Sequence, residues 1–254
     1  MLVAERQRKI VDLVNERLSI RVSELSDVFN VTEETIRRDL ERLEKEELLR
    51  RSHGGAVSIE KTNTETPYTE REILNSSEKK AIALEGVKLI NPGDQIVLDA
   101  STTAWFMAKE LEDMPLTVIT NSIKVAIELS KKEHVKVIST GGMLLSKSLS
   151  FAGPLAERSL DKYFVNKAFI SCKGVHLDEG LSDSNEWQAL LKKKMLQIAD
   201  KTILLADSSK FGIRTFVQIA NINQIDEIIT DSKLSGDYIK ELNEKNITLK
   251  VSGQ

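Results

Sequence analysis

Apolar residues follow two rhythms along this chain. Up to about residue 45 they recur at helical spacing, and from residue 95 onward short apolar runs alternate with helical stretches. Ile10, Leu13 and Val14 predict an amphipathic helix over about residues 4–16. Ser23 stands where an N-cap would open a second helix carrying Leu25, Val28 and Phe29. After Asn30-Val31, the Thr32 hydroxyl can accept from the first free N–H groups of a third helix. There Ile36, Leu40 and Leu43 must face a small core, which turns Glu34, Arg37, Arg38 and Glu41 outward. Leu48-Leu49-Arg50-Arg51 followed by Gly54-Gly55 then reads as a basic hairpin.

Residues 58–75 are polar and lack periodicity until Tyr68 and the Arg71–Leu74 run, the composition of a linker. A helix is expected from Ser76 through Ile82, Leu84 and Val87 to Ile90, where Asn91-Pro92-Gly93-Asp94 stops it. Strands at 95–98, 116–120, 135–139, 168–172, 202–206, 226–230 and 247–251 alternate with helices through 105–111, 124–129 and 234–242. That order predicts parallel strands with crossover helices, an α/β layer fold.

Composition narrows the partners. The formal charge is −3, and residues 1–57 hold eleven Lys and Arg against twelve acids, so any DNA contact must come from clustered cations. The clusters are Arg37, Arg38 and Arg42 on one helix and Arg50 and Arg51 on the hairpin. A short helix-turn-helix running into a basic hairpin is the arrangement that places one helix in the major groove and a wing beside it. The candidate DNA-contacting residues are Thr32, Glu34, Thr35, Arg37, Arg38, Arg50, Arg51 and His53. Glu34 would repel phosphate unless it accepts from a cytosine amino group.

Open α/β sheets bind ligands beyond the carboxyl ends of their strands. Asp99-Ala100-Ser101-Thr102-Thr103 gathers hydroxyls and free N–H groups at a helix start, which suits a phosphate and suits plain N-capping equally well. Thr120-Asn121-Ser122, Thr140-Gly141-Gly142, Lys173-Gly174 and Asp207-Ser208-Ser209-Lys210 repeat the theme at later strand ends. The candidate effector-binding residues are therefore Asp99, Ser101, Thr102, Thr103, Thr120, Asn121, Gly141, Gly142, Lys173, Gly174 and Lys210.

Two sets of motifs carry a family resemblance. Thr35-Ile36-Arg37-Arg38-Asp39-Leu40, Leu-x-x-Leu-Leu-Arg-Arg ending at Arg51, and His53-Gly54-Gly55-Ala56 closely resemble the N-terminal signature of the DeoR family of bacterial transcription regulators. Asp99…Thr102-Thr103, Thr120-Asn121-Ser122, Thr140-Gly141-Gly142, Lys173-Gly174 to Gly180-Leu181-Ser182, and Leu205 to Gly212 resemble its sensor domain. The resemblance implies a winged helix-turn-helix domain at 1–57 (helix-turn-helix about 20–39) and a linker at 58–75. It implies a Rossmann-like α/β sensor domain at 76–254, similar in fold to ribose-5-phosphate isomerase and coenzyme A transferases. It further implies that Ser101, Thr102 and Thr103 cradle a phosphate while Asp99, Lys173 and Lys210 line a sugar. Cys172 and Lys173 depart from the small-polar pair common in relatives.

The expected function is a repressor of a carbohydrate operon that binds double-stranded operator DNA under control of a phosphorylated sugar. A palindromic operator asks for at least a dimer. The alternative is a sugar-phosphate isomerase-like enzyme with an accessory DNA-binding domain, using Asp99 as base and Lys210 as electrophile. A third is an architectural DNA binder with an inert dimerisation domain. No cofactor, metal site or catalytic residue is expected: His134 and His176 lack ligand spacing, and neither G-x-x-x-x-G-K-[ST] nor G-x-G-x-x-G occurs. The lone Cys172, the charged N-terminus and the lack of a membrane-length apolar run point to the cytoplasm.

Overall fold

The computed structural model describes residues 3–17, 19–46, 48–52, 54–58, 65–245 and 247–253. His53 and residues 59–64 of the expected linker lie outside that set.

The N-terminal region comprises α1 (Val3–Arg17), β1 (Ser19–Arg21), α2 (Val22–Phe29), α3 (Glu33–Lys45), β2 (Arg50–Ser52) and β3 (Gly55–Val57). The strands form an antiparallel sheet in the order β1-β3-β2, so the predicted hairpin is present as a wing with an additional strand beside it. Ile10, Val14, Leu25, Ile36, Leu40, Leu43 and Leu49 close one core. Thr32 caps α3, its Oγ1 accepting from Thr35 N at 3.3 Å. Two expectations fail on α2. Ser23 is inside the first turn, because β1 runs straight into the helix and Arg21 holds the cap position in extended conformation without a side-chain bond. Val28 is half exposed, since a helix of eight residues buries only Val22 and Leu25. Asp39, in the recognition segment, is buried and accepts from Arg6 Nε at 2.6 Å and Gln7 Nε2 at 2.9 Å, which fixes α3 to α1.

Within the expected linker, where periodicity begins at Tyr68, α4 (Tyr68–Ile73) forms, anchored by fully buried Tyr68 and by its N–H bond to Lys147 O at 2.7 Å. Then follow α5 (Ser76–Val87), β4 (Gln95–Leu98), α6 (Thr102–Glu110), β5 (Leu116–Thr120), α7 (Ile123–Leu129), β6 (Val135–Ser139), β7 (Met143–Leu145), β8 (Ser150–Ala152) and α8 (Pro154–Ser159). The chain continues with β9 (Val165–Ile170), β10 (Gly174–His176), β11 (Gly180–Asp183), α9 (Glu186–Gln197), β12 (Ala199–Leu205), β13 (Val217–Ala220), β14 (Glu227–Thr230), α10 (Gly236–Glu244) and β15 (Thr248–Val251).

Seven of these strands make one parallel sheet in the order β15-β14-β12-β9-β4-β5-β6. Ile96 and Leu98 face one hydrophobic layer and Val97 the other, the period-two alternation of a sheet covered on both sides. From β4 the chain winds outward to β5 and β6, and from β9 it winds the other way, so the switch point lies between β4 and β9. The strand expected at 168–172 stops at Ile170 because Ser171 N–H turns to the Asp99 carboxylate at 2.9 Å. The hairpin β7–β8 and the small sheet β10-β11-β13 carry strands too short to show in the sequence pattern.

Candidate functional site

Beyond the carboxyl ends of β4 and β9, at the switch point, lies a cavity of about 570 Å³, inside the roughly 300–1,000 Å³ typical of small-molecule sites. Asp99 lies beneath its floor, next to the lining residues Ala100 and Ser101. That carboxylate is wholly buried and accepts from Ser101 N at 3.0 Å and Ser171 N at 2.9 Å, fixing the loops after both strands. Ser101 caps α6, its Oγ accepting from Ala104 N at 3.0 Å, so the Thr102 and Thr103 N–H groups stay without helical acceptors at the positive end of the helix dipole. Lys210, from the turn after β12, donates to Ser171 Oγ at 2.6 Å.

Lys79 of α5 also lines the cavity and is buried, donating to Arg71 O and Leu74 O at 2.5 Å each. Among the described residues its acceptors are those two carbonyls and no carboxylate; burial, reinforced by repulsion from Lys210, pulls its pKa down to about 8. Asn75, between α4 and α5, donates to Asp207 Oδ1 and Ser209 Oγ at 3.1 Å each, which ties this segment to the β12 loop. On the other wall Lys192 of α9 donates to Asp183 Oδ2 at 2.7 Å and approaches Asp99 Oδ2 at 3.7 Å. Burial opposes ionisation of both partners, but the pair overrides it: the Asp183 carboxyl is held below its ordinary pKa and Lys192 above its own. Burial drives the Cys172 thiol up to about 12, which keeps it protonated.

Of the effector-binding candidates, Ser101, Thr102, Lys173 and Lys210 line this cavity. The rest are placed elsewhere. Asp99 is beneath the floor, and its two backbone bonds and total burial remove it as a surface base. Thr103 is buried within α6. Thr120 Oγ1 accepts from Ser122 N at 3.0 Å, and Asn121 Nδ2 donates to Phe151 O at 2.9 Å, so both brace the β5–α7 loop. Gly141 and Gly142 turn the chain with φ of +61° and +108°, and a Cβ on Gly142 would stand 2.7 Å from Ala152 O. A Cβ on Gly174 would stand 2.4 Å from Ile213 O, so that glycine serves strand packing. Arg71, Lys79, Asp183, Ser184 and Gln188 were missed. Lys79 had a signal: it shares a face with Ile82, Ala83 and Gly86, an apolar stripe where a lysine is out of place.

On the N-terminal region Thr32, Glu34, Arg37, Arg38, Arg50 and Arg51 are exposed and Thr35 is half-buried. Arg37 pairs with Glu33 at 2.6 Å and Arg38 with Glu34 at 3.5 Å, one helical turn away in water. Arg51 donates its N–H and Nε to Glu44, at 2.7 and 2.8 Å, which aligns the wing with α3. Arg37, Glu44 and Arg51 also border a cleft whose other side is His176, Asp178 and Glu241 of the α/β region. Arg21 Nη2 donates to Lys233 O at 2.6 Å and Arg50 Nη1 to Arg214 O at 3.4 Å across that boundary. Glu24, Val57 and Ser58 of the N-terminal region in turn line the cavity itself.

A winged helix-turn-helix joined to a doubly wound α/β domain with a cation-lined cavity at its switch point defines the architecture of a two-domain DNA-binding protein. Residues 6–62 match the DeoR-like helix-turn-helix domain and residues 74–232 the DeoR C terminal sensor domain, so the chain belongs to the DeoR family and is a transcriptional regulator, not an enzyme. It is 65% identical to the uncharacterized HTH-type transcriptional regulator YulB of Bacillus subtilis (strain 168), over 97% of this chain and 96% of that protein. It is 36% identical to the L-fucose operon activator of Haemophilus influenzae, over 95% of this chain and 97% of that protein. It is 34% identical to the HTH-type transcriptional repressor GlcR of Bacillus subtilis, over 100% of this chain and 98% of that protein. Among the described residues no helix is long and apolar enough to cross a membrane.

Proposed function

We propose that the chain represses a carbohydrate operon and that a phosphorylated sugar in the switch-point cavity sets its affinity for operator DNA. The observation that carries this reading is the cavity's double ownership. Ser101, Thr102, Lys79 and Lys210 offer an anion site, while Glu24, Val57 and Ser58 of the DNA-binding region form part of the same wall. A ligand filling the cavity therefore touches both regions, and unequal affinity for two domain arrangements worth roughly 1–3 kcal/mol is enough for regulation. The α3 arginines and the wing supply the DNA contacts, with Arg37 and Arg51 becoming free to engage phosphates and base edges when the cleft beside Asp178 and Glu241 opens. Two copies, at least, meet the two half-sites of a palindrome. The sugar operon named for the fucose activator and the repressor role named for GlcR support the physiological setting.

The test uses full-length protein, DNA from upstream of its own operon, and a panel of pentose and hexose phosphates. One sugar phosphate is expected to raise the thermal midpoint and shift operator affinity. Absence of any shift in DNA binding across the panel overturns the sensor reading, and activation of transcription by the DNA-bound form overturns repression.

A further inference from the structure

The two walls of the cavity offer a ligand opposite chemistry. The wall made by the β4–α6 loop, α5 and the turn after β12 offers donors: Thr102 N–H, Lys79 and Lys210. The wall where β11 meets α9 offers acceptors. Asp183 Oδ2 accepts from Lys192 at 2.7 Å and Oδ1 from Ser184 N at 2.8 Å, which uses about half of the roughly four lone-pair sites of a carboxylate. Gln188 spends its amide hydrogens on Ser148 Oγ at 3.1 Å and Ser150 Oγ at 2.5 Å, which leaves its carbonyl oxygen as an acceptor. Ser184 Oγ is buried with no hydrogen-bond partner among the described residues, and its residue lines the cavity.

An ionised, buried carboxylate repels phosphate and welcomes hydroxyl hydrogens. Resting on the phosphorylated-sugar reading above, we infer that Asp183 and Ser184 read the hydroxyl groups of the effector and thereby determine which sugar is accepted. Lys192 is the positioning residue: it holds Asp183 ionised and bridges it to Asp99 beneath the floor. The ligand is thus directed, phosphate toward Lys79, Lys210 and the α6 start, hydroxyls toward Asp183 and Ser184. Buried polar groups built to meet a hydroxyl also reject analogues that lack it, since such an analogue leaves them unpaired.

The experiment is calorimetric titration of full-length wild type, Asp183→Asn and Ser184→Ala with glucose 6-phosphate, 2-deoxyglucose 6-phosphate, fructose 6-phosphate, ribose 5-phosphate and inorganic phosphate. Unliganded thermal midpoints are recorded alongside. Ser184→Ala deletes a hydroxyl that has no hydrogen-bond partner among the described residues, so it keeps the fold even where Asp183→Asn weakens it. Both variants are expected to lose about tenfold or more in affinity for the wild type's preferred sugar phosphate, and to change inorganic phosphate affinity by less than about twofold. They are also expected to narrow the gap between that sugar and its deoxy or epimeric analogues. Unchanged ranking in both variants overturns the inference while leaving the sugar-phosphate reading standing. Equal loss for every ligand, inorganic phosphate included, overturns it in favour of a purely structural role. A wild type that binds none of the sugars overturns both.

Discussion

On α3 each arginine stands in water beside a glutamate one turn away, whereas in the cavity wall the buried Lys192 lies between Asp183 and Asp99. Arg38 and Glu34 keep 79% and 63% of their side-chain surface, against 11% for Lys192 and 0% for Asp99. Solvent screens the first kind of pair, so an arginine there can exchange its glutamate for a DNA phosphate at little cost. The buried kind cannot exchange partners without exposing a charge to a low-dielectric interior. One region is built to let go of its ion pairs; the other holds its charges in place before a ligand arrives.

The largest expected effect comes from breaking the buried set. Lys192→Met leaves the buried Asp183 and Asp99 carboxylates without the cation they share, and urea denaturation at neutral pH is expected to show a loss of about 3–5 kcal/mol. Adding Asp183→Asn to that variant removes one stranded charge and is expected to restore part of the loss. A Lys192→Met protein as stable as wild type would erase the contrast between the two regions.

Arg37→Ala probes the other side of the contrast. It sheds only an exposed partner, Glu33, so the thermal midpoint is expected to stay within a degree or so, while operator affinity falls about tenfold. Effector-induced stabilisation is expected to be unchanged. A fall in effector binding as well would mean that the sites are not separable.

The same contrast explains what the sequence disclosed. The three helices and the wing were legible because Ile36, Leu40, Leu43 and the Gly54-Gly55 turn follow local periodicity and turn chemistry. The parallel sheet was legible from its alternating elements, and Ser101, Thr102, Lys173 and Lys210 were legible as strand-end residues. Asp99 was picked out for the right loop and the wrong role: a carboxylate at a strand end looks the same in sequence whether it faces ligand or clamps two backbones. Lys79 drew no notice in the sequence, and the run Lys192-Lys193-Lys194 reads there as a partly solvated face with one lysine able to lean toward the cleft, without saying which. Lys79 and Lys192 each lie on the buried face of a helix, Lys192 with Gln188, Leu191 and Met195 at helical spacing, and that misplaced charge is the readable clue. The α4 linker helix was not legible because its anchor, Tyr68, is buried by contacts far away in sequence.

Lys79 sharpens the comparison through pH. Its folded pKa of about 8 is below the ordinary 10.5, so between those values the unfolded chain binds the extra proton. Its contribution to stability therefore rises with pH from about 8 to about 10.5 and is flat below about 8. Effector affinity should move the opposite way. Loss of the charge as pH climbs through about 8 is expected to weaken sugar-phosphate binding by up to about tenfold one pH unit higher, and Lys79→Met is expected to flatten that dependence. A slope of equal size in Lys79→Met would assign the titration to another group.

The smallest expected effect lies at the boundary between the regions. Arg21 is exposed, yet its guanidinium reaches Lys233 O at 2.6 Å and, with the Arg50 bond to Arg214 O, ties the N-terminal region to the α/β region near the cleft that Arg37 and Arg51 border. If closure keeps the recognition surface from DNA, deleting that bond favours the open arrangement by the modest worth of one exposed hydrogen bond. Arg21→Ala is then expected to raise operator affinity in the absence of effector by about two- to fivefold and to shrink the effector response by a similar factor. Lys45→Ala, which loses only its exposed partner Glu41 within the same region, serves as the control with no change in that response. Fluorescence anisotropy on a labelled operator duplex measures both. Weaker DNA binding by Arg21→Ala would make Arg21 a phosphate contact rather than a latch, and the coupling between the two regions would then rest on the cavity wall alone.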